Sequence, residues 1–227
     1  MSVELDRVGV RLGDAEVLRD VTLSLTSRTT AIIGENGSGK STLARVIAGL
    51  APATSGTARV LGLDPVRQAS ELRRRVAVVF SNPDAQIVMP TVSEDVAFSL
   101  RAEKLTSTDR STRVATALER FGLAELATRS SHDLSGGQKQ LLALCGAFVR
   151  NPDLVVADEP TAYLDARNAR HVADHLFADT GHRLVLVTHD LALARRCEAA
   201  VLIAGGRVQA AGEPDEVAAR YDEVLRW

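Results

Sequence analysis

The sequence predicts an α/β fold in which a mostly parallel β-sheet is covered by helices. Short apolar stretches typical of buried strands alternate with stretches of helical periodicity, and a glycine-rich turn joins one of these strands to a helix. Between about residues 82 and 150 the pattern indicates helices without intervening strands. These three observations together predict a sheet-based core with a helical subdomain inserted into it.

The N-terminal part of the chain alternates between apolar and polar residues, as strands do. The apolar positions are Val3, Leu5, Val8, Val10 and Leu12, and then Val21, Leu23 and Leu25. The next apolar run, Ala31–Ile33, predicts a short buried strand that leads into the glycine-rich turn, and the helix after the turn ends at Gly49. We therefore expect an antiparallel β portion close to the N-terminus, followed by the first strand of the main sheet.

The middle of the chain contains one strand and then a series of helix signals. Val76–Phe80 predicts a strand, and Thr91–Glu94 forms a capping box that opens a helix reaching about Leu100. A later apolar helical face is closed by Gly122, and Ser135 precedes another apolar helix. This succession of helices is the predicted helical subdomain, residues 82–150.

The strand pattern returns in the C-terminal part. Leu154–Ala157 and Leu184–Val187 are apolar runs typical of buried parallel strands, and a helical pattern lies between them. Val201–Ile203 and Arg207–Ala211, joined through Gly205–Gly206, predict a β-hairpin. We therefore assign residues 1–81 and 151–227 to the sheet-based core of a single domain, residues 1–227.

Composition excludes several classes of protein. With 45% hydrophobic and 25% charged residues, the 227-residue chain is not disordered, collagen-like or a coiled coil. The net charge of −2 gives no electrostatic reason to bind nucleic acid. Apolar runs such as Leu141–Val149 are far shorter than the roughly 18 residues that span a bilayer. Two cysteines, Cys145 and Cys197, without a CxxC motif lead us to expect a reduced, cytoplasmic protein.

The strongest motif is Gly34–Thr42, GENGSGKST, which matches GxxxxGK[ST] between a strand and a helix. Its glycines let backbone N–H groups surround a phosphate, and the helix N-terminus adds partial positive charge. Lys40 reaches the β- and γ-phosphates, and the Ser41 hydroxyl can ligate Mg²⁺. We expect ATP and Mg²⁺ to bind here. The nucleotide-binding residues would be Gly34, Asn36, Gly37, Ser38, Gly39, Lys40, Ser41 and Thr42.

A second motif follows the apolar run Leu154–Ala157, which ends at Asp158 and Glu159. A carboxylate at the C-terminal end of a parallel strand lies beside the phosphate loop. Asp158 is therefore expected to hold Mg²⁺, and Glu159 to polarise a water in line with the γ-phosphate.

The third motif is Leu134–Gln138, LSGGQ, in which Ser135, Gly136 and Gly137 present a hydroxyl and backbone N–H groups at a helix start. Together with GENGSGKST and DEPTAYLD, it makes nearly the whole chain resemble an ATP-binding-cassette (ABC) ATPase. The resemblance implies that Ser135, Gly136, Gly137 and Gln138 contact the γ-phosphate held by a second protomer, which gives a head-to-tail dimer with two composite sites. A homodimer and a heterodimer both remain open.

Two more positions match the family. The resemblance implies that His189, after the run Leu184–Val187, contacts the γ-phosphate and the attacking water, and that it is catalytic together with Glu159 and Lys40. It also implies that Asp165 links the two sites across the dimer. By its position, Asp165 is in addition a candidate helix N-cap.

At two positions the chain departs from the family pattern. Leu12 occupies the place of the aromatic residue that stacks on adenine, so the base would rest on aliphatic surface or on the neighbouring Arg11. Ser81 follows Phe80 where the family has a glutamine, and its shorter side chain is the third candidate ligand of Mg²⁺.

The stretch that follows, Asn82-Pro-Asp-Ala-Gln86 and then Thr91 to Phe98, resembles the corresponding segment of energy-coupling-factor (ECF) importers. This resemblance implies that residues 82–98 dock a transmembrane coupling subunit, with Gln86 and Met89 near the contact. A substrate-binding membrane subunit is the further partner, which places the chain at the cytoplasmic face of the membrane.

Three other features have simpler interpretations. His171 and His175 are four residues apart on a predicted helix, but no third metal ligand is evident, so we expect a solvated helix face. Cys145 lies in an apolar helix and is expected in the core. The run Arg73–Arg75 is expected at a solvated helix end.

The sequence thus predicts the ATP-hydrolysing subunit of an ECF-type importer. The short stretch after His189 favours the biotin type, which makes biotin the candidate cargo. Two alternatives remain open: the ATPase of another ABC importer or exporter, and a soluble ABC ATPase outside transport, such as a cofactor-assembly factor.

Overall fold

The computed structural model describes residues 3–178 and 181–224, which fall into two compact units. Residues 3–78, 153–159 and 181–224 form the first unit, and residues 79–152 and 160–178 form the second. The first unit is built on β-sheets and the second on helices. The predicted α/β architecture, with an antiparallel β portion and a set of helices inserted between strands, is confirmed.

The antiparallel sheet of the first unit contains three strands, and β1 is its centre. The strands are β1 (Val3–Leu12), β2 (Ala15–Leu25) and β4 (Ser55–Val60). The alternation in β1 and β2 matches their registers, in which Val3 faces Leu25 and Leu5 faces Leu23. β4 escaped sequence-based prediction because Val60 is its only fully buried residue, so it has no apolar alternation.

The second sheet has six strands in the order β5-β6-β7-β3-β8-β9. They are β3 (Thr29–Ile33), β5 (Val76–Val79), β6 (Leu154–Asp158), β7 (Arg183–Val187), β8 (Ala199–Ala204) and β9 (Arg207–Gly212). β6, β7, β3 and β8 are parallel neighbours, so their carboxyl ends share one edge. β8 and β9 form the predicted hairpin, turning at Gly205–Gly206.

Four helices complete the first unit. They are α1 (Lys40–Ile47), α2 (Ala69–Arg75), α7 (Leu191–Ala194) and α8 (Pro214–Val224). α1 packs on β6 and β7 through Leu43, Val46 and Ile47, which are buried in the core between the sheets. The run Arg73–Arg75 forms the last turn of α2, as expected.

The second unit contains α3 (Val92–Ser99), α4 (Ser107–Arg120), α5 (Gly136–Phe148) and α6 (Ala166–Phe177). Thr91 and Ser135 complete capping boxes at α3 and α5, and Asp165 caps α6 by accepting the Asn168 N–H. α5 packs against α3, α4 and α6, which explains why residues 160–178 belong to this unit. Cys145 of α5 is fully buried, as expected.

One expectation about this unit is wrong. His175 does not lie on a solvated face, because its ring stacks on Phe121 with a centroid separation of 4.3 Å. Burial lowers its pKa first, and the nearby Arg120 guanidinium lowers it further. Sequence spacing missed this contact because Phe121 is the C-cap residue of α4 whereas His175 lies on α6. His171 alone remains exposed.

Within the part of the chain that the structure describes, every helix is too short or too polar to cross a membrane.

Candidate nucleotide site

The predicted phosphate-binding loop connects β3 to α1, and neighbouring residues surround it so closely that two positions must be glycine. Gly34 and Gly39 have φ angles of +147° and +104°. A Cβ on Gly34 would lie 2.1 Å from the Ile203 carbonyl oxygen, and one on Gly39 would lie 2.8 Å from Cδ2 of Leu18. The loop is thus shaped by β2 and β8 as well as by its own sequence.

The turn of the β8–β9 hairpin supports the loop from outside. The Gly206 N–H donates to the Ser38 carbonyl over 3.1 Å, and its own carbonyl accepts the Arg19 N–H over 2.8 Å. A Cβ on Gly206 would lie 2.4 Å from the Val17 carbonyl oxygen. Sequence reasoning missed this supporting role, although the adjacent glycines at 205 and 206 marked the turn.

Lys40 is the cation of the site, and it is 6% exposed. Its Nζ donates to the carbonyl oxygens of Gly34 over 2.7 Å and Glu35 over 2.6 Å. Burial lowers the pKa of Lys40, while the carboxylates of Glu159, Asp158 and Glu35 act against that shift. The ammonium therefore lies inside the loop, at the place where phosphate oxygens would compete for it.

The loop also contains an unsatisfied hydroxyl. Ser38 is 6% exposed, and its buried Oγ has no hydrogen-bond partner among the described residues. Such an atom costs free energy unless a ligand or water pairs with it. A phosphate oxygen is a suitable acceptor, so the loop fits the phosphate groups that its sequence predicts.

Ser41 and Asp158 meet beside the loop. Ser41, in the first turn of α1, donates its hydroxyl to Oδ1 of Asp158 over 2.9 Å. Asp158 is the last residue of β6, as the strand-end argument predicts. A hydroxyl and a carboxylate are the oxygen ligands that Mg²⁺ takes. Among the described residues no cluster of three His, Cys, Asp or Glu side chains could hold a metal.

Glu159 and His189 form a pair at the ends of two neighbouring strands. His189 Nδ1 lies 2.9 Å from Oε2 of Glu159, and the Glu159 N–H donates to the Val187 carbonyl over 2.9 Å. A carboxylate only accepts hydrogen bonds, so this contact assigns the proton to Nδ1. Glu159 has a φ of +50°, a left-handed conformation that is unusual for a residue other than glycine.

The LSGGQ residues begin α5 in the second unit, and their polar groups are held locally. The Ser135 hydroxyl accepts the Gln138 N–H over 3.3 Å, and the Gln138 side chain accepts the Ser135 N–H over 2.9 Å. Gly136 has open space where its Cβ would be. The first turn of α5 thus presents a compact, polar helix start.

Asn168 connects Gly137 to Asp165, a role that the sequence did not reveal. A Cβ on Gly137 would lie 2.4 Å from Cγ of Asn168. The Asn168 backbone and side-chain N–H groups donate to Asp165 over 2.9 and 2.7 Å, and these bonds lower the pKa of that carboxyl. The LSGGQ helix start and the predicted dimer-linking aspartate therefore have a common neighbour.

Leu12 and Ser81, the two positions that depart from the family pattern, are both at least partly exposed. Leu12 is 55% exposed at the end of β1, beside exposed Arg11. It therefore offers an aliphatic surface where an aromatic ring would otherwise stand. Ser81 is half-buried and follows Phe80 at the start of the second unit.

Comparisons with known proteins agree with these motifs. The family described as "ABC transporter" matches residues 18–162. A putative ABC transporter ATP-binding protein of Deinococcus radiodurans is 41% identical over 99% of both chains. The biotin transport ATP-binding protein BioM of Rhizobium etli is 36% identical over 99% of both. The ECF transporter ATP-binding protein EcfA1 of Symbiobacterium thermophilum is 44% identical over 86% of this chain and 69% of its own length.

Solved structures of ABC ATPases are also similar to this chain. The cbiO1 protein of Clostridium perfringens, part of the ABC transporter complex cbiONQ, superimposes with a TM-score of 0.86 at 31% identity. It covers 99% of this chain and 92% of its own. An ATP-binding cassette in a dimeric, post-hydrolysis state with ADP and phosphate superimposes with a TM-score of 0.82 at 26% identity. The match covers 93% of this chain and 98% of the other.

Proposed function

This chain belongs to the ABC transporter ATPase family, and from that premise we propose that it powers substrate uptake as the ATP-hydrolysing subunit of an ECF-type importer. Binding and hydrolysis of ATP are common to the family. The importer type, the partners and the cargo are the proposed parts. The observation that carries them is a surface in residues 82–98 that exposes apolar side chains on a rigid backbone.

The phosphates of ATP would lie in the loop of residues 34–42. Lys40 would exchange its two carbonyl partners for β- and γ-phosphate oxygens, and the unpaired Ser38 hydroxyl would donate to a phosphate oxygen. Backbone N–H groups of the loop and the start of α1 add further positive potential. Binding of the phosphates would thus use donor groups that the loop already holds close together.

Mg²⁺ would be held by Ser41 and Asp158, whose oxygens lie 2.9 Å apart, with Ser81 as the third proposed ligand. The bound ion would neutralise charge on the β- and γ-phosphate oxygens. Ser41 would turn its lone pairs to the ion, and Asp158 would help to fix the position of Ser41.

Hydrolysis joins a water oxygen to the γ-phosphorus and breaks the bond to the oxygen that remains on ADP. Glu159 would orient this water and accept its proton, while His189 holds the carboxylate through Nδ1. Lys40 of the same protomer and Ser135 of the second protomer would stabilise the charge on the transferred phosphoryl group. The chain therefore contributes positioning and electrostatics more than covalent chemistry.

We propose a dimer in which each ATP lies between the phosphate loop of one protomer and the LSGGQ residues of the other. The ATP-binding cassette with ADP and phosphate, which is dimeric, supports the formation of a dimer at 26% identity. Asp165 would lie near the interface between protomers, where Asn168 holds its carboxylate in a fixed orientation. Closure with ATP and opening after hydrolysis would supply the mechanical work.

The proposed docking surface, residues 82–98, has an ordered backbone and exposed apolar side chains. Oδ1 of Asp95, a 7% exposed residue, accepts the N–H groups of Val88 over 2.8 Å and Met89 over 3.0 Å. Val88 is nevertheless 59% exposed and Phe98 37% exposed. A rigid surface that keeps apolar groups in water is typical of a protein-protein contact.

The first experiment is to purify the tagged chain from detergent-solubilised host membranes and to identify what accompanies it by mass spectrometry. A membrane coupling protein with a substrate-binding membrane protein is the expected result, and the ligand of the latter would identify the cargo. Biotin is the proposed cargo because the biotin transport relative aligns over 99% of both chains. Recovery of soluble partners alone would contradict the importer and favour a cofactor-assembly role.

Alanine at Met89 or Gln86 is expected to reduce recovery of the coupling protein by about ten-fold, because each change weakens one part of the docking surface. Gln86 holds the segment by accepting the Phe80 N–H over 2.7 Å. Val66→Ala is the matched control, since Val66 is 60% exposed but lies in the first unit. Unchanged recovery and unchanged transport for both variants would exclude this docking surface.

Leu12→Tyr is expected to tighten nucleotide binding, because an aromatic ring would stack on adenine where Leu12 provides only aliphatic contact. Stacking of a base on an aromatic side chain contributes about 1–3 kcal/mol, so the dissociation constant for ATP should fall about ten-fold. Titration with a fluorescent ATP analogue measures it, and the same titration with a triphosphate lacking the base is the control. An equal gain for both ligands would mean that Leu12 does not face adenine.

A further inference from the structure

The segment Phe80–Gln86 is fastened to the first two turns of α5 at two points. Nε2 of Gln140 donates to the Phe80 carbonyl over 3.1 Å, and Nζ of Lys139 pairs with Oδ1 of Asp84 over 2.8 Å. Gln140 is 1% exposed, and the Lys139 side chain is 18% exposed. The Gln140 bond is therefore shielded from water, which strengthens it relative to a surface contact, whereas the Asp84 carboxylate of the ion pair is 62% exposed.

The segment itself is internally braced. The Phe80 N–H donates to the Gln86 side chain over 2.7 Å, and the Asn82 side chain accepts the Asp84 N–H over 3.1 Å. Pro83 fixes the backbone at the start of the short 3₁₀ turn Pro83–Ala85. A force on any part of the segment would therefore move it as one body.

The two residues of α5 that hold the segment, Lys139 and Gln140, lie next to the LSGGQ residues. Lys139 and Gln140 directly follow Gln138, and the Lys139 N–H donates to the Ser135 carbonyl over 2.9 Å. The N-cap and the first two turns of α5 thus carry the proposed γ-phosphate contacts and both anchoring side chains.

We infer that Asp84 and Lys139 are a positioning pair that transmits displacement of the docking segment to the LSGGQ end of α5. This inference rests on the proposed function, in which a membrane subunit binds residues 82–98. Gln140 makes a neutral bond to the backbone, whereas the ion pair joins two side chains and acts only while both charges are present. The pair therefore couples partner binding to ATP hydrolysis without touching the nucleotide.

Lys139→Gln tests the inference in the complete complex purified from membranes. We expect the stimulation of ATP hydrolysis by the membrane partners to fall about ten-fold. The unstimulated rate of the isolated chain and its KM for ATP should stay within about two-fold, because Lys139 lies outside the nucleotide contacts. Lys139→Arg should retain the stimulation. The charge swap Asp84→Lys with Lys139→Asp should recover most of it, whereas Lys139→Asp alone should lose it.

Glu103→Gln is the matched control, since it breaks another ion pair of the same unit, Arg113–Glu103 at 2.6 Å. Thermal melting of each variant shows whether the chain still folds. Full stimulation in a folded Lys139→Gln complex would overturn the inference, as would a swap that performs no better than Lys139→Asp. If the unchanged chain recovers no membrane partner, it is the proposed function that fails, and the coupling role fails with it.

Discussion

Glu159→Gln is expected to bind ATP as tightly as the unchanged chain and to hydrolyse it at least about a hundred-fold more slowly. The amide keeps the size of the side chain and can still receive a hydrogen bond from His189 Nδ1, which lies 2.9 Å from the carboxylate now. It cannot accept the proton of the attacking water. The variant should therefore lose ATP hydrolysis while it keeps its affinity for ATP.

The same variant should accumulate as a closed dimer, because ATP would remain in the proposed composite sites. Phosphate release measures the rate, and size-exclusion chromatography with ATP and Mg²⁺ measures the dimer. Glu71→Gln is the matched control, since Glu71 is an exposed carboxylate on α2. Turnover of Glu159→Gln at the rate of the unchanged chain would remove Glu159 from the mechanism. Loss of turnover without a dimer would instead contradict the composite site.

Lys40→Met is expected to weaken ATP binding by about a hundred-fold or more, because it removes the buried cation of the phosphate loop. Methionine fills a similar volume, so the loop keeps its packing. It loses the two hydrogen bonds that the Lys40 ammonium donates to the carbonyls of Gly34 and Glu35. Equilibrium titration with a fluorescent ATP analogue measures the change. Hydrolysis at saturating ATP should also fall, since we propose that Lys40 faces the transferred phosphoryl group.

Lys104→Met, at an exposed lysine of the second unit, controls for the loss of one positive charge from the whole chain. A similar loss of affinity in both variants would mean that net charge, and not the position of Lys40, attracts the nucleotide. Unchanged affinity in Lys40→Met would show that the phosphates bind elsewhere.

Local sequence signals predicted much of the fold because their causes are local. The predicted capping box at Thr91 and the predicted cap at Asp165 form within one helical turn, and both are present. Ser135 precedes α5, as predicted, and caps it. One long-range contact could also be anticipated. Ser41 and Asp158 are far apart in sequence, but both follow strands whose ends must share one edge of a parallel sheet.

Other contacts could not be predicted because they depend on which elements pack together. The stacking of His175 on Phe121 joins α6 to the C-cap of α4. The support that Gly206 gives the predicted phosphate loop comes from the β8–β9 hairpin, which is remote in sequence although β8 lies beside β3 in the sheet. The Asp84–Lys139 pair is of the same kind. Periodicity tells which face of a helix is buried, but not which side chain it meets.

The ends of β6 and β7 hold Glu159 and His189 together through ladder bonds as well as through their side chains. The Glu159 N–H is bound to the Val187 carbonyl, so the carboxylate and the imidazole follow two adjacent strands of one sheet. The Glu159 side chain is 19% exposed and bonded to His189, so much of its conformational entropy is lost once, when the chain folds, and not again in each turnover. If Glu159 has the proposed role, the barrier to hydrolysis should accordingly contain little entropy of ordering this carboxylate, and what remains to be ordered is the water.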